Sequence, residues 1–266
     1  MVLYVVQIIL ARRACKMLNE DTKRKLIEMR MSTMAAEFAA QLDNPGYNML
    51  SFEERFGMLV DSEWLNRKNN RQQRLMRKAG FSYPGACMED IDYRPDRNLD
   101  ADLLLRLGTC NYIKEKHNVI IQGATGIGKS YIACALGVAA VRQFFTVKYI
   151  RLPDLLCDFQ TARAMNTFRS MVDSYAKINL LILDEWLLYP LSEETCRDLL
   201  ELAERRYHTA STIFCSQFSK QGWYDKIPNP LLAEAICDRI VHDAYTITVE
   251  GKDSMRKING IQEKDS

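Results

Sequence analysis

The sequence predicts an α/β protein, a five-stranded parallel sheet with helices on both faces, preceded by a small all-helical N-terminal domain. Three observations carry this. Apolar residues before position 81 recur at helical spacing, short apolar strands alternate with helices after position 101, and a glycine-rich loop stands at the first strand-to-helix junction. Alternating strands and helices mean a parallel sheet, since each crossover helix returns the chain to the same end of the sheet.

The 266 residues suffice for one full core and a smaller attached unit. With 47% hydrophobic and 26% charged residues, wholesale disorder is excluded. A net charge of +2 does not by itself argue for a nucleic-acid partner; only a local patch could. The eight cysteines form no CxxC pair and lie in apolar or helical surroundings, which predicts free thiols in a reducing cytosol and a cytoplasmic protein. Residues 1–10 are apolar and are followed by Arg12 and Arg13. That run is far shorter than the roughly 20 residues of a membrane span and has no basic segment before it. Three readings stay open for residues 1–16: an element packed on the body, an interfacial anchor, or an upstream extension ahead of a start at Met17. No other segment could span a membrane, so no membrane partner is expected.

In chain order, Leu26, Ile27, Met29, Met31, Met34, Ala35, Phe38 and Leu42 mark helix, and Asn44, Pro45 and Gly46 end it. Ser51 and Glu54 then form an S-x-x-E capping box that opens a second helix through Phe56, Leu59, Val60 and Leu65. Its continuation carries Arg67, Arg71, Arg74 and Lys78, spaced four, three and four apart on one helical face. No acid falls within 66–78, and the stripe reads as lacking a compensating Glu at i−4. It is either a solvated face or a non-specific contact to the phosphate backbone of duplex DNA. These residues make up a domain at 17–81, followed by a linker at 82–100 that contains Pro84, Gly85 and Pro95. The second domain, 101–258, has strands at 118–122, 146–150, 178–183, 211–215 and 245–249, with helices at 129–143, 153–165, 192–207 and 231–242; a polar tail, 259–266, follows.

Gly123, Ala124, Thr125, Gly126, Ile127, Gly128, Lys129 and Ser130 match G-x-x-x-x-G-K-[ST] between the first strand and its helix. Glycines let successive backbone N–H groups turn inward around a phosphate, and the helix N-terminus adds partial positive charge. Lys129 reaches the β- and γ-phosphates of ATP, and the Ser130 hydroxyl takes one Mg²⁺ position. The hydrophobic run Leu180, Leu181, Ile182, Leu183 ends in Asp184 and Glu185. Asp184 is expected to hold Mg²⁺ and Glu185 to polarise the attacking water, an acidic pair that argues for hydrolysis over phosphoryl transfer to a substrate.

With these motifs the chain resembles the IstB-type AAA+ ATPases, helper proteins encoded by insertion sequences beside their transposase and related to the DnaC helicase loader. The resemblance runs from Met17 to Lys257. It covers the Leu26–Ala35 stretch, Leu50 to Arg55, the basic run, Phe81 to Pro84, Ser216 and Gln217, the 233–242 block and the 251–257 block. It implies a P-loop NTPase fold of AAA+ type. It also implies roles for Gln217 as a γ-phosphate sensor, for Arg239 as an arginine finger completing a neighbour's site, and for Arg256 as a second phosphate sensor. For Arg239 the residues alone leave open an intramolecular pair with a nearby acid. The implied protein assembles on duplex DNA as an ATP-dependent homo-oligomer and stimulates a transposase. A replicative helicase loader shares the nucleotide core, and the N-terminal unit discriminates between the two. A small-molecule kinase would need a mobile arginine-bearing lid and no Asp-Glu pair.

Overall fold

The computed structural model describes residues 17–251 and Met255. The expectations for residues 1–16, for Arg256 and for the 259–266 tail lie outside the described residues. The chain divides into two compact units, Met1–Gln73 and Arg74–Ser266, at a boundary that falls inside a helix.

In the first unit, residues 17–28 form α1, Ser32–Asp43 form α2, and Phe52–Ala79 form α3, which runs on into the second unit. The predicted helical run through 43 is broken at Arg30, which takes the left-handed position (φ 60°) usual for glycine. The Met31 amide then reaches back to the Leu26 carbonyl at 2.8 Å, closing α1. The capping box forms as expected: Ser51 N–H donates to Glu54 at 2.7 Å, and Glu54 N–H donates to the Ser51 hydroxyl at 3.2 Å. Such a cap stabilises a helix by about 1 kcal/mol. Glu63 is buried, and its Oε2 accepts the amides of Thr33 and Met34, both at 3.1 Å, so one α3 carboxylate caps the start of α2. Phe52, Phe56 and Trp64 stay exposed along α3.

The second unit comprises α4 (Ala101–Gly108), α5 (Asn111–Glu115), β1 (Asn118–Gln122), α6 (Lys129–Arg142), β2 (Val147–Arg151), α7 (Leu152–Ala164), α8 (Phe168–Ala176), β3 (Leu180–Trp186), α9 (Glu193–Arg206), β4 (Ser211–Ser216), α10 (Lys220–Tyr224), α11 (Pro230–Val241) and β5 (Ala244–Thr248). The five strands are all parallel, in the order β2-β3-β4-β1-β5. The short helices α4, α5, α8 and α10 had no separate signal in the sequence. Strand residues alternate between two cores, as the pleat requires. Leu180 and Ile182 of β3 pack with α6, whereas Leu181 and Leu183 pack with α7 and α9. Residues 82–100 are no free linker: Ala86 and Ile91 are buried in the α6-side core, and the Arg97 side chain is buried too. The seven cysteines among the described residues are free, and five of them are buried. No helix among the described residues is long and apolar enough to cross a membrane.

β3 carries the irregularity that matters. Its ladder with β4 pairs Leu183 with Phe214 and then Trp186 with Ser216, three residues forward against two. The extra residue is a bulge holding Asp184 and Glu185, and Glu185 sits at φ 56° in the left-handed region. Bulges re-aim side chains and end pairing beside functional sites.

Candidate functional site

The glycine loop leaves the C-terminal end of β1 and opens α6, at the sheet edge where open α/β folds bind ligands. Two glycines are dictated by space. A Cβ at Gly123 (φ 148°) would stand 2.2 Å from the Val249 carbonyl oxygen, and one at Gly128 (φ 99°) would stand 2.9 Å from an Arg97 nitrogen. Lys129 is buried, and its ammonium donates to the carbonyls of Gly123 and Ala124 at 2.8 and 2.7 Å. Burial lowers its pKa, an effect opposed by the nearby Cys215 and Asp184.

Asp184 is buried, with each carboxylate oxygen holding one donor. Oδ1 accepts the Glu185 amide at 2.8 Å, and Oδ2 accepts the Tyr149 hydroxyl at 2.6 Å. Burial, then the hydrogen bond to Asp184, drives the Tyr149 pKa well up. Glu185 is partly exposed, its Oε1 lying 4.0 Å from Arg151, which is itself paired with Asp154 at 2.9 Å. The Ser130 hydroxyl and the Asp184 carboxylate are oxygen donors of the kind Mg²⁺ prefers. Among the described residues no cluster of three or more His, Cys, Asp or Glu could cage a metal.

Arg97 had no signal in the sequence. Its guanidinium donates to the Ile127 carbonyl at 2.5 Å and to the Asp92 carbonyl at 2.7 Å, tying the 82–100 stretch to the loop. Burial lowers its pKa from the ordinary arginine value. Beside the loop opens a cavity of about 320 Å³ lined by Tyr83, Ile91, Arg97, Tyr131, Ile132 and Met255 together with loop residues. The Met255 amide donates to the Gly126 carbonyl at 2.9 Å. Gln217 is exposed and directly follows β4. The strand end beside it is held by the Ser216 hydroxyl, which donates to the Trp186 carbonyl and accepts from Trp223, both at 3.1 Å.

One expectation changes. Arg67 is not an uncompensated cation. Glu63, four residues earlier, accepts from its Nε at 2.7 Å, and the Arg30 carbonyl accepts from Nη2 at 2.9 Å. A window that begins at residue 66 excludes that acid. Arg71, Arg74 and Lys78 are exposed on α3. Arg239, on α11, pairs with Glu204 of α9 and donates to the Ala235 carbonyl at 2.9 Å. The next residue, Ile240, accepts the Asn118 side chain at 3.2 Å, so Arg239 lies toward the start of β1, at the far end of that strand from the loop.

A glycine loop opening α6 and an acidic bulge in a β2-β3-β4-β1-β5 parallel sheet define a P-loop fold of AAA+ type. AMPPCP-bound DnaA from Aquifex aeolicus has this fold (TM-score 0.54, 18% identity, 65% of this chain and 52% of that chain). So does the DnaC helicase loader (TM-score 0.53, 16% identity, 63% of this chain and 98% of that chain). The chain belongs to the family of IstB-like ATP binding proteins, which matches residues 24–263. A relative from Sinorhizobium fredii, named as an insertion-sequence ATP-binding protein, is 38% identical over 241 residues, covering 91% of this chain and 98% of the relative. Another, named for the insertion sequence IS1162 of Pseudomonas fluorescens, is 38% identical over 201 residues, covering 76% of this chain and 87% of the relative.

Proposed function

We propose that this insertion-sequence ATP-binding protein hydrolyses ATP, assembles on duplex DNA while ATP is bound, and stimulates a partner transposase. The observation that carries the reading is the acidic pair in the β3 bulge opposite the Lys129 loop. In this scheme the backbone amides of residues 123–130 cradle the triphosphate and Lys129 exchanges its carbonyl partners for β- and γ-phosphate oxygens. Ser130 and Asp184 would hold Mg²⁺, which would supply charge neutralisation to the triphosphate. Glu185 orients and deprotonates water, and Gln217 contacts the γ-phosphate. The base takes the cavity beside Tyr131, Ile91 and Ile132. A helicase-loader role is the weaker reading: the insertion-sequence relative matches in sequence at 38% identity, whereas the loader, at 16%, shares the fold alone.

Arg239 acts in this reading on a neighbouring protomer. Within one chain, β1 separates it from the loop by five residues, roughly 16 Å at strand rise. Binding a neighbour's γ-phosphate means exchanging Glu204, a half-exposed carboxylate, for a more highly charged partner. Arg239→Ala is therefore expected to keep ATP affinity and lose turnover, by roughly 10³-fold if the finger contributes as such residues do. Mixing it with Lys129→Ala should restore part of the turnover, since each subunit supplies what the other lacks. No restoration at any mixing ratio would leave Arg239 with its Glu204 pair as its whole role.

The DNA contact rests on Arg71, Arg74 and Lys78. Arg67 is held by Glu63 and by the Arg30 carbonyl between α1 and α2, so it is the wrong residue to test. Replacing Arg71 and Arg74 by Gln keeps helix propensity and removes two charges. Duplex affinity should fall for all sequences alike, with the slope of log affinity against log salt shallower by up to about two units per protomer. Equal slopes and affinities for the two proteins would make the stripe a solvated face.

A further inference from the structure

β2 does more than close the edge of the sheet. Tyr149 pairs in register with Ile182, and Arg151 with Asp184, so Tyr149 and Asp184 share a sheet face, one pleat repeat apart. Tyr149 is almost fully buried in the α6-side core, and its phenol reaches along the strand to Asp184 Oδ2 at 2.6 Å. The Ser82 side chain, just beyond the end of α3, lies near the phenol. The second Asp184 oxygen takes the Glu185 amide at 2.8 Å. The carboxylate is thus gripped at both oxygens, by a backbone N–H of the bulge and by one side chain from a different strand.

From this geometry we propose that Tyr149 is a positioning residue for the acid that holds Mg²⁺: it fixes the Asp184 carboxylate plane so that the remaining lone pairs face the loop. The proposal rests on the metal-holding role of Asp184 and goes beyond it. An ionised carboxylate offers about four acceptor sites. Two are occupied here, which leaves the others for water or hydroxyl in the metal shell. A carboxylate at a bulge, paired on one side only, would otherwise have torsional freedom that metal binding must remove. Partners that orient a ligating carboxylate typically contribute 10- to 100-fold in metal affinity.

The test uses the full chain and a fluorescent ATP analogue, measured as binding and not as turnover. Affinity is taken first in EDTA and then over a Mg²⁺ titration, for the wild type, Tyr149→Phe, Ser82→Ala and Asp184→Asn. Tyr149→Phe keeps the ring in its packing and removes only the hydroxyl. It should match the wild type in EDTA, and its half-saturating Mg²⁺ should rise about 10- to 100-fold. Ser82→Ala should move in the same direction by less, and it carries the test if Tyr149→Phe does not fold. An unchanged Mg²⁺ dependence in Tyr149→Phe, or an equal loss with and without the metal, would reduce the phenol to a packing role. If Asp184→Asn itself keeps wild-type Mg²⁺ dependence, the metal-holding role fails, and the positioning role falls with it.

Discussion

Glu185→Gln is expected to bind ATP as tightly as the wild type, to turn it over at least about a hundredfold more slowly, and to remain on DNA. The amide is nearly isosteric with the carboxylate, so the left-handed backbone at φ 56° and the bulge around it are preserved. What it cannot do is accept a proton from water, and a positioned general base typically contributes 10²–10⁴ in rate. The Arg151 contact, at 4.0 Å and partly exposed, is too loose for its loss to disturb the site. With the γ-phosphate intact, the subunit contact proposed for Arg239 would have nothing to release it. Turnover measured beside retention on immobilised duplex checks both halves. Hydrolysis at the wild-type rate would remove Glu185 from its role, whatever happened to DNA binding.

Lys129→Ala should lose nucleotide binding itself. The ammonium is buried against two loop carbonyls at 2.8 and 2.7 Å, so its position is set by the loop before any phosphate arrives. Each hydrogen bond to a charged group contributes about 1.5–3 kcal/mol. Two such contacts to phosphate correspond to roughly 10²- to 10⁴-fold in affinity. Thermal unfolding offers the cleaner readout. ATP at 100 times its dissociation constant stabilises the folded state by about 2.7 kcal/mol, and that increment should vanish in the variant. A full ATP-induced shift in Lys129→Ala would show that the loop does not hold the triphosphate through this residue. The shift is compared within each protein, so any change in the fold's own stability cancels.

Much of the second unit was legible because its signals are local. A buried parallel strand announces itself as an apolar run, and the glycine loop falls where a strand must turn into a helix. The capping box at Ser51 and Glu54 is likewise a four-residue pattern. The misses share a cause: they depend on contacts made across the fold. Arg30 ends α1 without being glycine, so nothing in composition marks the break. Arg97 sits in a polar stretch that reads as a linker, yet its guanidinium reaches Ile127, thirty residues on. Tyr149 looks like one more apolar strand residue until β3 lies beside it. Glu63 differs, because it stands one helical turn before Arg67 and was within reach of the i,i+4 rule.

The bulge also sets stability against activity. A glutamate at φ 56° costs the fold of order 1–2 kcal/mol relative to ordinary strand geometry. The β3–β4 ladder forgoes regular pairing over the same two residues. Glycine or asparagine at position 185 would relax that strain, and deleting one residue there would restore the register. Selection for thermal robustness alone would therefore tend to erase the acidic pair. A laboratory stabilisation campaign scored on melting temperature would find position 185 early, and would remove the acid proposed to activate water.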